Sequence, residues 1–259
     1  MRPTGPSVRG EPRPGDGATG DPGEPGVGDT IVRALHVFTD SSTSPVLVEC
    51  ADGALRVAKL SGAGPGPAGL LVELLATRVA AAHGVSVPAV RPLWLPADLP
   101  WQVGTDEFDD ALRRSHGWNL GIDFVAGARA GTARDLAAAP PGVALAIALS
   151  DRFLANVDRT VANPNALVDP AGTLRCIDHG ACLFLDRALA GRSSRAALPA
   201  SHPLAHLPLP DLARGPEIDW AALLHDVPRA WLEAVGSDAA GLGAALARYE
   251  RGFREEATG

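Results

Sequence analysis

The stretch between residues 151 and 180 restricts the possible folds of this chain more than any other. An apolar run with helix-forming composition ends near Asn156, and a polar loop with Asp158 and Asn163 follows it. Two short apolar segments then flank a turn that contains proline and glycine, a pattern typical of a β-hairpin. Asp178 comes directly after the second segment and begins the triplet Asp-His-Gly. A hairpin in this place can bring polar groups from the loop and from Asp178 to one side of a cleft.

The order of these polar residues suits the transfer of a phosphoryl group to a hydroxyl. A loop carboxylate such as Asp158 can orient an acceptor hydroxyl and take its proton. Nucleotide phosphates require Mg²⁺, which prefers oxygen ligands, and Asn163 and Asp178 supply an amide oxygen and a carboxylate. Ordinary turn residues are the alternative, and for the Asp-x4-Asn spacing alone that alternative is the better one. The hairpin and the Asp-His-Gly triplet that follow favour the chemical role.

Three apolar segments in the N-terminal half predict an antiparallel meander. They are Ile31–Phe38, Val46–Cys50 and Leu55–Leu60. A polar loop joins the first two, and its backbone N–H groups and hydroxyls could bind phosphates. The residues concerned are Ser41, Ser42, Thr43 and Ser44. A plain surface hairpin is an equally good interpretation of this loop.

Lys59 is the only lysine in the chain and lies in the third of these segments, between apolar neighbours. An ammonium on a flexible stem suits a confined phosphate site differently from a planar guanidinium, although a half-exposed strand lysine is the alternative. The segment Ala68–His83 has apolar residues at helical spacing and carries Glu73 beside its apolar stripe. A partly buried carboxylate requires a partner, and Lys59 is the natural candidate. A rim glutamate that faces water is the other possibility.

The two ends of the chain differ in composition. Residues 1–28 are rich in glycine and proline and predict a disordered tail, because such a segment buries too little apolar surface to offset its ordering entropy. We expect an ordered domain over residues 29–259. Helical segments return after Asp178, with proline-rich connections between them. They are Asp186–Ala197, Asp219–Val235 and Asp238–Arg254.

Composition argues against several classes of protein. The formal net charge of -7 disfavours a protein that coats nucleic acid. No apolar run reaches the roughly 18–20 residues that span a bilayer. Cys50, Cys176 and Cys182 are odd in number and lack C-x2-C spacing, which indicates buried thiols rather than disulfides or a zinc site. We therefore expect a cytoplasmic protein with no nucleic-acid partner and no membrane span.

Several of these segments together resemble the HipA-like kinases, in the broader protein-kinase-like and phosphatidylinositol-kinase-like group. The matching strings include Val57-Ala-Lys59, Leu71–Arg78, Asn156-Val-Asp-Arg-Thr160, Asn163-Pro-Asn165 and Ile177-Asp-His-Gly180. The resemblance implies an α+β, bilobal, protein-kinase-like fold with ATP between the lobes. The N-lobe, about 29–118, would hold a small antiparallel sheet plus a helix. The C-lobe, about 119–259, would be mainly helical.

The resemblance also implies a role for each candidate residue. It makes Lys59 the phosphate-contacting lysine, Glu73 its ion-pair partner and Asp158 the catalytic aspartate. It makes Asn163 and Asp178 the ligands of Mg²⁺. The chain departs from the family pattern in its Ser-rich first loop, in Asp-His-Gly instead of Asp-Phe-Gly, and in a second asparagine, Asn165, that competes as a metal ligand.

We therefore predict a kinase that uses ATP and Mg²⁺ to phosphorylate a hydroxyl of an unknown protein or small molecule. The net negative charge mildly disfavours a membrane lipid as acceptor. A pseudokinase that binds nucleotide without turnover is one alternative. A metal-dependent phosphoesterase built on Asp158, Asp178 and His179 is another, and Lys59 has no role in it.

Overall fold

The computed structural model describes residues 25–39, 44–99, 106–192, 197–208 and 216–255. Most of the predicted tail lies outside these residues, as do Ser41, Ser42 and Thr43 of the first hairpin loop. Within the described part of the tail, the carbonyl oxygen of Gly28 accepts a hydrogen bond of 3.1 Å from Arg56.

The N-terminal part of the chain forms a five-stranded antiparallel sheet in the order β1-β2-β3-β5-β4. The strands are β1 (Ile31–Val37), β2 (Val46–Cys50), β3 (Leu55–Lys59), β4 (Val90–Leu95) and β5 (Gly117–Asp123). Alternate residues of β2 are buried, because successive side chains of a strand point to opposite faces. This face and helix α2 (Asp106–Arg113) share a small apolar core.

Helix α1, Gly66–Ala82, lies between this sheet and the helices of the C-terminal part. Nine of its residues are buried, including Glu73 and Thr77, as is typical of a helix that is surrounded by protein on most sides. It contacts β4 and β5 in one direction and the C-terminal helices in the other. Gly84, with φ +81°, ends it in the left-handed conformation that glycine adopts without penalty.

The C-terminal part is mainly helical and carries a small three-stranded sheet. Its described helices are α3 (Ala133–Ala137), α4 (Pro141–Leu154), α5 (Phe184–Leu189), α6 (Trp220–Leu224), α7 (Arg229–Ala234) and α8 (Ala239–Glu255). The strands are β6 (Arg129–Ala130), β7 (Ala166–Val168) and β8 (Leu174–Cys176), in the order β6-β7-β8. The predicted hairpin after the polar loop is the pair β7–β8.

Two predicted helices differ from the observed ones. The segment 219–235 forms α6 and α7 rather than one helix, because Pro228 at its middle has an extended conformation and no N–H to donate. The helix predicted over Asp186–Ala197 begins earlier, at Phe184, and ends at Leu189, and Gly191 follows it with φ +63°. Residues 193–196 of the predicted span lie outside the described residues. In both places a residue that favours a helix end outweighs the apolar spacing.

The antiparallel N-terminal sheet and the helical C-terminal part confirm the predicted α+β class. A large apolar cluster joins α1 to α4–α8, and a smaller one lies under the sheet. Because β5 extends the sheet through Asp123, we propose to place the boundary between the lobes after that residue. None of the described helices combines the length and hydropathy needed to cross a bilayer.

Candidate active site

Three side chains from separate elements meet where β3 ends. The Nζ atom of Lys59 lies 2.7 Å from each carboxylate oxygen of Glu73 and 2.9 Å from Oδ1 of Asp178. Lys59 is the last residue of β3, Glu73 lies on α1, and Asp178 follows β8. The fold therefore places Glu73 against Lys59, as the sequence suggested, and brings Asp178 to the same ammonium.

Burial and charge act in opposite directions on this cluster. Burial alone would lower the pKa of Lys59, but the charges of Glu73 and Asp178 outweigh it and raise that pKa. Burial raises the pKa of Glu73, and the nearby charge of Lys59 opposes the rise. Lys59 therefore stays an ammonium at neutral pH. The side chain of Asp178 is 45% exposed, so it is the carboxylate of this cluster that a ligand can reach.

Gly180 leaves room for these three side chains. A Cβ atom at this position would lie 3.3 Å from Oε2 of Glu73 and 3.7 Å from Oδ1 of Asp178. Asp178 has φ +54°, a left-handed conformation that Asp and Asn adopt more readily than most residues. The Asp-His-Gly triplet thus combines a residue that tolerates this backbone with a glycine whose missing side chain avoids crowding Glu73.

The loop that follows α4 presents a carboxylate with two amide partners. Oδ2 of Asp158 accepts hydrogen bonds from Nδ2 of Asn163 at 2.9 Å and from Nδ2 of Asn165 at 2.8 Å. Asn163 is exposed, whereas Asn165 is half-buried and has φ +46°. Both asparagines that competed as metal ligands in the sequence therefore converge on Asp158, and together they hold its carboxylate in place.

Arg159, which is 1% exposed, supports this loop from its buried side. Its Nε donates to Oδ2 of Asp151 at 2.6 Å. One terminal nitrogen donates to the carbonyl oxygens of Pro164 and Asn165 at 2.9 Å and 2.5 Å. The other lies 3.1 Å from Nε2 of His179. The guanidinium therefore braces the loop and does not face the cleft.

His179 continues this buried chain to α1. A guanidinium can only donate, so Nε2 of His179 accepts from Arg159 and Nδ1 carries the proton. Nδ1 lies 3.2 Å from Oγ1 of Thr77 on α1, which therefore accepts. Burial lowers the pKa of His179 to about 3, and the charge of Arg159 adds to the effect. Because the ring is neutral and both its nitrogens have partners, it is not placed to act as the acid, base or metal ligand that a phosphoesterase would need.

Asp151, on α4, anchors the other end of the buried chain. Its Oδ1 accepts from Nδ2 of Asn156 at 2.8 Å, and its Oδ2 lies 3.0 Å from Nε2 of His202. Nδ1 of His202 accepts from the backbone N–H of Leu204, so Nε2 carries the proton and donates to Asp151. Burial alone would raise the pKa of Asp151, but the charge of Arg159 and the bond from His202 hold it well below its usual value. Asp151 is therefore ionised and offsets the charge of Arg159.

The sequence interpretation missed Asp151 and His202. Asp151 carried a usable signal, because it is an acidic residue near the end of a largely apolar helix, and a charge there requires a partner when it is buried. His202 lies 51 residues further along and belongs to no local pattern. Thr77 likewise looked like an ordinary helix residue.

The donor set suits Mg²⁺ together with nucleotide phosphates. Mg²⁺ is usually held by one or two carboxylates, substrate phosphates and waters, so few protein ligands suffice. Asp178 offers a reachable carboxylate, and Asn163 and Asn165 offer amide oxygens on the neighbouring loop. Among the described residues, no three His, Cys, Asp or Glu side chains form a metal site by themselves. The residues therefore fit an ion that arrives with its nucleotide.

The first hairpin loop contributes less information. Ser41, Ser42 and Thr43 lie outside the described residues. Ser44 precedes β2 with φ +42°, and a hydrogen bond of 2.9 Å from Phe38 N to the carbonyl oxygen of Pro45 closes the hairpin. Phosphate binding by this loop stays a prediction.

A solved structure shares the overall fold. The crystal structure of a Helicobacter pylori proinflammatory kinase, CtkA, is similar to this chain with a TM-score of 0.50 and 12% sequence identity, over 90% of this chain and 97% of that one. At this identity the likeness speaks for the fold alone, and it confirms the predicted kinase-like fold. No curated protein matches the chain in sequence.

The sequence itself matches a family. The model of the HipA-like kinase family covers residues 31–190, which is more than half of the chain. This range includes Lys59, Glu73 and the whole stretch from Asp151 to Gly180. The chain therefore belongs to the HipA-like kinase family.

Proposed function

We propose that this protein is an ATP- and Mg²⁺-dependent phosphotransferase that moves the γ-phosphoryl group to a hydroxyl of a protein or small molecule. The observation that carries the proposal is the contact of Lys59 with both Glu73 and Asp178, at 2.7 and 2.9 Å. An ammonium held between a helix carboxylate and a reachable carboxylate suits a site for a metal-bound nucleotide. Membership of a kinase family supports the same reaction.

Each residue has one task in this proposal. Lys59, oriented by Glu73, offsets negative charge on the nucleotide phosphates. Asp178 would hold Mg²⁺ together with an amide oxygen from the loop. Mg²⁺, when bound, neutralises charge on the phosphoryl oxygens. Asp158 orients the acceptor hydroxyl and takes its proton, and its two amide partners keep the carboxylate in one orientation.

We also propose that the protein works in the cytoplasm. Cys50, Cys176 and Cys182 are buried free thiols, and burial raises the pKa of each. Free thiols are typical of a reducing compartment.

The test combines nucleotide binding with phosphate transfer. We expect ATP to raise the melting temperature of the wild type in the presence of Mg²⁺ and much less in its absence, since a ligand of the folded state stabilises it by mass action. With γ-labelled ATP and a cell extract, label should appear on the protein or on a component of the extract. Lys59→Met keeps the apolar stem and loses the charge, so both effects should decline. Arg229→Met, at an exposed position on α7, is the matched control.

Each result has a distinct meaning. Stabilisation by magnesium-ATP without any transfer of label would identify a pseudokinase. Equal stabilisation with and without Mg²⁺ would contradict the metal assignment. Wild-type binding and transfer in Lys59→Met would contradict the site itself.

A further inference from the structure

Helix α1 has a third polar link besides Glu73 and Thr77. One terminal nitrogen of Arg78 donates to Oδ1 of Asp226 at 2.6 Å and to the carbonyl oxygen of Leu223 at 2.7 Å. The other donates to Oδ2 of Asp226 at 2.8 Å. Such a two-point pairing of guanidinium and carboxylate is strong and geometrically specific. It joins α1 to the end of α6 and the turn that follows it.

This link differs from an ordinary surface ion pair. The side chains of Arg78 and Asp226 are 16% and 29% exposed, so solvent screens them less than it screens the exposed pair Arg229–Glu233 on α7. Asp226 also lies outside residues 31–190, the range that matches the family. A helix of the kinase core is therefore fastened by a segment from beyond that range.

Apolar contacts bring the same elements together. Buried residues of α1 and of α6–α7 belong to one apolar cluster. They include Leu74, Leu75, Val79, Leu224, Trp231 and Leu232. Apolar burial is not directional, whereas the planar guanidinium of Arg78 can donate both hydrogen bonds to a carboxylate in only a few orientations. The apolar cluster therefore stabilises the packing of α1 against α6 and α7, and the ion pair specifies the orientation of α1 in that packing.

The placement of α1 matters because Glu73 is on the same rigid element. Glu73 and Arg78 are five residues apart, or about 7.5 Å along a helix that rises 1.5 Å per residue. A shift or rotation of α1 against α6–α7 would move the carboxylate of Glu73 relative to Lys59. Support for Arg78 is thus also support for the contact between Lys59 and Glu73.

We propose that Arg78 and Asp226 are positioning residues, through which the C-terminal helices hold α1 and keep Glu73 against Lys59. The effect on turnover rests on the proposed phosphotransferase function, whereas the effect on α1 does not. The C-terminal helices serve in this scheme as an internal brace for the nucleotide site.

The first test replaces Asp226 by Asn, which keeps its size and removes its charge. We expect kcat/KM for ATP to fall by about 3- to 30-fold, the range for residues that influence a site without contacting its ligand. Arg78→Lys keeps the charge and loses the fork, and should give a smaller loss in the same direction. Exchange of the two charges, Arg78→Asp with Asp226→Arg, should restore part of the activity that each of these two substitutions loses by itself. Glu233→Gln breaks only an exposed pair on α7 and should leave kcat/KM unchanged.

A double-mutant cycle separates positioning from general support of the fold. If Asp226 acts through Glu73, the loss caused by Asp226→Asn should shrink in a Glu73→Gln background, because the contact it protects is already weakened. Equal losses in both backgrounds would overturn the proposal.

Hydrogen exchange keeps the proposal testable without turnover. If the wild type transfers no phosphate, the proposed function fails, but the amides of α1 should still exchange faster in Asp226→Asn than in Glu233→Gln. Unchanged exchange in α1 would overturn the inference. If Asp226→Asn does not fold, the same comparison is made with Arg78→Lys.

Discussion

The inner and outer faces of the polar region around the loop after α4 differ in burial, although their residues are interspersed along the chain. The inner face, defined as Asp151, Arg159, His179 and His202, is at most 3% exposed, and each side chain has hydrogen-bond partners within the protein. The outer face, defined as Asp158, Asn163, Asn165 and Asp178, is half-buried or exposed. The polar atoms of the inner face are already hydrogen-bonded within the protein, so these side chains hold the loop in its conformation and do not bind a ligand. The outer groups remain within reach of ligands, so we propose that the chemistry belongs to them.

Asp158→Asn should give the largest change and leave the inner face intact. If Asp158 is the proton acceptor that we propose, its loss is expected to lower turnover by about 10²–10⁴-fold, the usual reach of general acid–base assistance, while magnesium-ATP still binds. Asp178→Asn should instead weaken magnesium-ATP binding. Calorimetry with a non-hydrolysable ATP analogue, beside a turnover assay, separates the two, and Asp186→Asn on the surface of α5 is the control. The assignment is reversed if Asp158→Asn abolishes binding and Asp178→Asn preserves it.

Asp151→Asn should affect stability, unlike the outer-face variants. It leaves the guanidinium of Arg159 buried without its counter-charge, and breaking a buried pair in this way typically costs about 3–5 kcal/mol. Denaturant unfolding measures this cost, with Asp186→Asn again as the control. A loss below about 1 kcal/mol would mean that the buried pair is not a main support of the loop.

Acid should destabilise the protein through the inner face. Unfolded histidine takes up a proton near pH 6.5, whereas burial lowers the pKa of His179 to about 3, so the unfolded state binds more protons between these values. The free energy of unfolding should therefore fall with decreasing pH in this window, by up to about 1.4 kcal/mol per unit for one such group. His83, whose pKa burial lowers to about 4, adds to the wild-type slope.

The contribution of His179 to this pH dependence is the difference in slope between the wild type and His179→Gln. Glutamine can accept from Arg159 and donate to Thr77 but does not titrate. The free energy of unfolding of this variant should therefore change less steeply with pH. Urea titrations at several pH values measure this, with His206→Gln at an exposed position as the control. Identical slopes would show that His179 is not the acid-sensitive group.

Gly180→Ala should give the smallest effect, where the two faces meet. The added Cβ would lie 3.3 Å from Oε2 of Glu73, and a shift of that carboxylate of a few tenths of an ångström would disturb Lys59. We expect a loss in ATP affinity of about 1 kcal/mol, or roughly fivefold. Gly142→Ala on α4, where a Cβ has no neighbour within 4 Å, should leave affinity unchanged. Equal affinities for both variants would show that the site tolerates this crowding.

Local features of the sequence determined most of the strands and helices and the segments that carry the candidate site residues. A short apolar run and a tight turn placed β2 correctly, and a polar loop before a short hairpin located the segments that carry Asp158 and Asp178. The unusual lysine on a strand led to Lys59. These signals are readable because turns, strands and helix ends depend on residues that are neighbours in the chain.

Only the tertiary structure decided what the buried polar residues do. Arg159 braces the loop because Asp151 and His179 meet it from a helix and from the end of a strand. Arg78 pairs with Asp226, a residue 148 positions away, because packing of apolar surfaces brings α1 against α6. Apolar burial is not directional, so the sequence shows that such surfaces will pack but not which polar side chains will meet when they do.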